Sequence, residues 1–319
     1  MKLLSRFKNR NKNKNVSSGG IADYGKYGQM FVAPFIVAFL LFQLYPIVYT
    51  ITLSFTDLAG WETELNFVGF KNYINILQNE HFIRAFKNTW LIWTINFIPQ
   101  LGISLMLAKW FTDHANRLKG EGIFKAVFYL PNIITAASLA ILFRTLFGYP
   151  VGPINQLLLY FDVIQEPFEF FRSKTGTRLI VAFIQFWRWY GSTFIILCAG
   201  IMGINPSLFE AAKIDGASDW KIFTNITLPL LKPITLYILI TSLVGGMQMF
   251  DIPYLLTDGF GAPDNAITTS MVYIYNQAFT GNRNFYMSAT ASVVILLVIM
   301  AISGVIYKVM NRSKSKVGR

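Results

Sequence analysis

The sequence predicts an all-α integral membrane protein with six transmembrane helices. Three observations lead there. Hydrophobic residues make up 54% of the chain and charged residues 14%, whereas a soluble domain carries nearer a quarter charged. The apolar residues fall in blocks close to the ~20 residues that a bilayer core requires. The basic residues flank these blocks unevenly, as they do when they set orientation. The predicted spans are 29–55, 86–110, 124–147, 177–201, 231–256 and 287–307. They make one membrane domain, 29–308, between a basic tail at 1–28 and another at 309–319.

The first tail carries Lys2, Arg6, Lys8, Arg10, Lys12 and Lys14 among asparagines, a composition that does not build a core. Gly20 to Lys26 nearly matches a phosphate-binding loop. Tyr27 stands where the magnesium-holding hydroxyl belongs and no strand precedes, so the match is read as chance. The following apolar run is too long for the core of a signal peptide, so it is expected to stay as the first span. Pro34, Pro46 and Pro99 fall inside spans, where neighbours can re-satisfy the backbone.

Between the first two spans, Phe70, Tyr73, Ile74 and Leu77 recur at helical spacing. They predict an amphipathic helix at the outer interface. Segments 148–174 and 257–286 contain Gly and Pro and read as loops open to an external partner.

Lys109, Arg117, Lys119, Lys125, Lys213, Lys221 and Lys232 collect on one side with both tails. Asp57, Glu62, Glu64, Glu80, Asp162, Glu166, Glu169, Asp258 and Asp264 collect on the other. The basic side, with both termini, is therefore expected in the cytoplasm. The net charge of +12 is explained by orientation and anionic lipid, with no nucleic-acid partner. His81 and His114 lie in loops on opposite sides, and Cys198 is the single cysteine, so no metal site is expected. No G-x-S-x-G elbow and no histidine within a span offers hydrolase chemistry. The chain has no ATPase motif of its own, and no strong symmetry between halves points to an inverted-repeat transporter.

The stretch Glu210 to Pro229 is too polar to cross a membrane. Asn205 and Pro206 start a short helix that is expected to run to Asp215. Gly216 turns the chain, Ser218 caps a second arm, and Pro229 is expected to end it. The result is a helix–turn–helix elbow at the membrane surface.

Polar residues within spans are costly and point to function. Gln185, Trp189 and Ser192 share one helical face in the fourth span. An amide, an indole and a hydroxyl suit a sugar, which stacks one face and hydrogen-bonds through its rim. Interhelical hydrogen bonding explains the same residues equally well. In the fifth span Ser242, Gly245, Gly246 and Met249 line a broad face, with Gln248 nearby. Ser138 in the third span is a weaker candidate. Arg188 and Asp251 must be paired, near a boundary, or beside water.

The elbow carries Glu210, Ala211, Ala212, Asp215 and Gly216, then Ile226, Leu228 and Pro229. This pattern resembles the EAA loop of ABC-importer permeases. Together with the segments FVGFKNYINIL, FKNTW and YLPNIITAASLAILFRTLF, it is similar to the carbohydrate-uptake permeases of maltose, multiple-sugar or glycerol-phosphate type. The resemblance implies a cytoplasmic coupling loop between helices 4 and 5 and substrate contacts from those two helices. It also implies a second, similar permease subunit in a heterodimer, two cytoplasmic ATPase subunits holding ATP and magnesium, and an external solute-binding protein. This chain would bind no cofactor and would sit in the bacterial inner membrane. Two alternatives stand beside it: a secondary sugar transporter or channel acting alone, and an ABC importer permease for a non-sugar solute.

Overall fold

The computed structural model describes residues 25–60, 64–112, 120–281 and 283–312. Most of the N-terminal tail, the phosphate-loop-like segment up to Tyr24, His114, Arg117, Lys119 and residues 313–319 lie outside them.

The described residues up to Thr50 form one compact unit and those from Ile51 a second. The first begins with α1 (Gly25–Phe39), which passes through a π turn, Leu40–Leu44, into α2 (Tyr45–Leu53), and the unit ends within α2. The π turn directly precedes Pro46. Its extra residue relaxes the clash a proline ring makes with the carbonyl four positions back. The run Gly28–Leu53 is long and apolar enough to cross a membrane.

Among the described residues of the second unit the regular elements are all helices, apart from one isolated bridge between Thr56 and Phe67. The predicted amphipathic helix is α3 (Lys71–Gln78). Its Phe70, Ile74 and Leu77 are exposed, while Ile76 and Asn72 are buried. Asn72 fixes it by donating to the carbonyls of Ser54 and Thr56 at 3.0 and 2.7 Å.

Helix α4 (Glu80–Phe111) and helix α8 (Lys174–Met202) are the central pair. They run parallel. Arg178 donates to Asn88 at one end, Gln100 to Thr193 in the middle, and Ser104 to the Tyr190 carbonyl beyond it. The third predicted span is broken rather than continuous. Helices α5 (Glu121–Ile133) and α6 (Ala136–Leu146) meet at 90°. Pro131 and the β-branched run Ile133-Ile134-Thr135 disfavour a continued helix. Thr135 then caps α6 by accepting from the Ser138 amide at 3.2 Å. Gly191 of α8 lets α5 approach closely, since a Cβ there would lie 1.9 Å from the Phe128 carbonyl oxygen.

Segments 148–174 and 257–286, read as loops, each carry a helix: α7 (Pro153–Tyr160) and, further on, α14 (Ser270–Phe279). After α8 come α9 (Pro206–Ile214) and α10 (Asp219–Ile222). Pro229 does not end this second arm. A π turn at Phe223–Thr227 leads into α11 (Leu228–Leu230) and on to α12 (Lys232–Met247). As in the first unit, a π turn comes just before the proline. The fifth predicted span breaks after Met247, resuming as α13 (Asp251–Leu256). Helix α15 (Phe285–Arg312) closes the fold.

Five described helical runs can each span a membrane by length and composition, or six if the bent α5–α6 pair counts as one. Loop 257–269 is pinned across the starts of α4 and α8. Asp264 pairs with Lys174 at 2.5 Å and with Arg84 at 3.5 Å. Asn88 donates to the Asn265 and Thr268 carbonyls, and Arg178 to that of Ala266. The Lys174 and Arg84 cations hold the Asp264 carboxyl below the ordinary aspartate value.

Candidate functional site

A cavity of about 320 Å³ opens between α4, α5, α8 and α12. Of the residues singled out in the sequence, Gln185, Trp189, Ser192, Ser242, Gly245, Gly246 and Met249 line it. Two others do not. Ser138 sits at the α5–α6 bend, where it receives a hydrogen bond from the Thr135 hydroxyl at 2.9 Å and serves the cap. Gln248 follows the last turn of α12, where the helix ends, and its exposed side chain points elsewhere. Met249 returns to the cavity because the chain kinks: its carbonyl is held by Thr269 at 2.6 Å.

Several lining residues escaped the sequence reading: Trp93, Asn96 and Gln100 on α4, Tyr129 and Asn132 on α5, and Tyr237 and Thr241 on α12. Trp93, Asn96 and Gln100 follow i, i+3, i+7 spacing, which places them on one face of α4. That polar stripe within an apolar helix was the available signal.

The wall is built by specific contacts. Trp93 Nε1 donates to the Ser242 carbonyl at 3.0 Å and lies 3.2 Å from its hydroxyl. Its ring stacks on Phe97 at 5.1 Å and meets Trp90 edge-on at 5.4 Å. Gly246 makes room for that indole, because a Cβ would fall 2.0 Å from Trp93 Cδ1. Gly245, by contrast, has nothing within 4 Å of where a Cβ would be. Gln100 donates to Thr193 at 2.8 Å, and Asn132 to the Arg188 carbonyl at 3.3 Å. Gln185 is 8% exposed, and its amide has no hydrogen-bond partner among the described residues. Beside the cavity, Arg188 meets Asp251 at 3.9 Å and lies over the Trp189 ring at 5.6 Å. The two charged residues thus occur as a pair, one of the outcomes that their place in the spans demanded.

The elbow leads from α8 to α12. Asn205 caps α9 by accepting from the Ser207 amide. At the other end Gly216 takes φ +76°, with its amide bonded to the Lys213 carbonyl and that of Ala217 to Ala212. This is a Schellman ending, and it is why glycine stands there. Nothing crowds Gly216, so the backbone and not packing demands it. Ser218 accepts from the Lys221 amide and starts the second arm. Glu210, Ala211 and Asp215 are exposed, as is Pro229, whereas Ala212, Ile226 and Leu228 are half-buried. Exposed Leu208, Ile214 and Trp220 add apolar surface to the elbow.

Helices of membrane-spanning length around a polar cavity, two of them joined by an exposed elbow, are the features of a transport permease. The chain belongs to the family described as binding-protein-dependent transport system inner membrane component, whose model matches residues 89–316. It is 33% identical over 280 residues to the lactose transport system permease protein LacF of Rhizobium radiobacter, covering 88% of this chain and 92% of that one. It is 32% identical over 290 residues to the arabinooligosaccharides transport system permease protein AraP of Bacillus subtilis, covering 90% and 89%. A chain in the crystal structure of a bacterial alginate ABC transporter, in complex with an alginate pentasaccharide-bound periplasmic protein, has the same fold. Its TM-score is 0.76 at 24% identity, over 91% of this chain and 95% of that one.

Proposed function

We propose that this protein is a membrane subunit of a binding-protein-dependent ABC importer that carries a carbohydrate into the cytoplasm. The observation that carries the reading is the cavity. Gln185 offers an amide with no protein partner, Trp189 an indole face, and Ser192, Thr241 and Tyr129 hydroxyls. An aromatic platform with a rim of donors and acceptors fits a sugar better than an inorganic ion or an apolar solute. The lactose and arabinooligosaccharide permeases among its relatives support the same substrate class.

We read six crossings, and the parallel run of α4 and α8 supports that reading. The chain between them must return across the membrane, so the bent α5–α6 pair acts as one crossing. With both termini in the cytoplasm, the elbow between the fourth and fifth crossings faces the cytoplasm. There Glu210 offers its carboxylate to a basic residue of an ATPase subunit. Ala211 and Ala212 allow close approach, and Asp215 and Gly216 shape the end of α9. Ile226, Leu228 and Pro229 carry the motion into α12. A second permease subunit completes the pore, two ATPase subunits bind and hydrolyse ATP with magnesium, and an external binding protein delivers the sugar. Opening and closing of the ATPases would grip the elbow differently and so bias the two states of the pore.

The test is substrate-dependent ATP hydrolysis and sugar uptake by the assembled complex carrying Glu210→Lys or Gly216→Val. Both changes should uncouple hydrolysis from uptake. Full uptake by both variants, or sugar transport by this chain alone in liposomes, would sink the reading.

A further inference from the structure

We propose that a second cavity, behind the elbow, binds an anionic phospholipid through Lys109 and Lys213. The cavity measures about 220 Å³. It lies where three membrane-spanning helices end or begin. Lys109 comes from the last turns of α4, Ile201 and Met202 from the end of α8, and Phe223 from the arm that leads into α12. Its level is therefore the membrane–water boundary. Two lysines face one carboxylate, Asp219, on a lining that is otherwise largely apolar. Lys109 is held in place: its Nζ lies 4.9 Å from the Trp220 ring centre and 5.1 Å from that of Phe223.

The occupant follows from size, polarity and charge. Ordinary small-molecule pockets run to roughly 300–1,000 Å³, so this one takes part of a molecule rather than a whole one. An apolar wall with two cations at a membrane boundary fits a glycerophosphate group and the first part of its acyl chain. Basic pockets between transmembrane helices hold anionic headgroups in this way. A free phosphate would satisfy the lysines but leave the apolar wall wet. The chain's own tails carry the same sign of charge as the lysines and are repelled. A bound lipid would brace α9 against the ends of α4 and α8. Lipid binding itself does not depend on the elbow's coupling role, although any effect on transport does.

The experiment uses the full chain assembled with its partner subunits, purified in mild detergent and stripped of lipid. Native mass spectrometry and binding titrations then compare phosphatidylglycerol with phosphatidylcholine. Phosphatidylglycerol should be retained in preference. Lys109→Gln and Lys213→Gln together should weaken it about 25-fold, or about fivefold for each lysine. Lys109→Arg with Lys213→Arg should keep it. The pair Lys71→Gln and Lys87→Gln, elsewhere on the protein, should leave it unchanged. Equal retention of both lipids, or equal loss in the control pair, overturns the proposal. So does displacement by millimolar inorganic phosphate, which would make free phosphate the ligand. Binding to the permease alone that vanishes on assembly would assign the cavity to an ATPase segment and overturn it too. Normal lipid binding with uptake unchanged by the elbow variants would refute the coupling reading and leave the lipid site standing.

Discussion

Gly245 and Gly246 are adjacent in sequence but should respond oppositely to the same methyl group. In Gly246→Ala the new Cβ would sit 2.0 Å from Trp93 Cδ1 and 2.8 Å from its Nε1. The indole cannot easily retreat, because it is stacked on Phe97, edge-on to Trp90 and hydrogen-bonded to Ser242. Overpacking of this kind costs about 1–3 kcal/mol. Losing the Trp93 hydrogen bond adds about 1 kcal/mol. Alanine returns about 1 kcal/mol through its helix propensity. The net is a loss of about 1–3 kcal/mol, or roughly 2–12 °C in Tm at about 2–4 °C per kcal/mol. Gly245→Ala meets nothing, so only the propensity gain remains and Tm should hold or rise slightly. Its methyl group instead projects toward the cavity, so its effect should appear as a raised KM for uptake. Thermal unfolding of the purified complexes, followed by tryptophan fluorescence, would be read beside uptake kinetics. Equal Tm values for the two variants, or a larger drop for Gly245→Ala, would refute the packing assigned to Trp93.

Three further outcomes are expected. Gly216→Val should cost about 1–2 kcal/mol through the left-handed backbone alone, since nothing crowds that position; Gly216→Asn should recover much of it, and a thermal melt of the three proteins checks the order. Asp251→Asn should lower expression and Tm more than the double variant Arg188→Gln with Asp251→Asn, because the single change strands a cation inside the membrane, where it costs about 2.5–3.5 kcal/mol. The depressed Asp264 value means that its stabilisation is complete above the ordinary aspartate range near 4 and is lost as pH falls through the lower folded value. The acid-side fall in Tm below about pH 4 should therefore be shallower in Asp264→Asn, and Tm profiles between pH 6 and 2.5 would measure it.

The sequence alone determined what depends on local chemistry and on transfer from water. Apolar blocks of bilayer length marked the membrane helices, since unpaired backbone cannot cross hydrocarbon except as helix or closed barrel. The elbow was also legible, because Asn205, Gly216 and Ser218 act within a turn of their own position. The polar faces of α8 and α12 could be read for the same reason: one helix sets their spacing. Only the tertiary structure decided the rest. The third predicted span turns by 90° where Thr135 caps a new helix, and the fifth breaks where Thr269 takes up the Met249 carbonyl. Gly246 answers to Trp93, some 150 residues distant, and Gly245 to open space, although identical side chains stand at both positions. Which polar residue meets a cavity, which caps a bend and which cation finds its carboxylate are set by contacts between helices far apart in the chain, and a one-dimensional pattern carries no record of them.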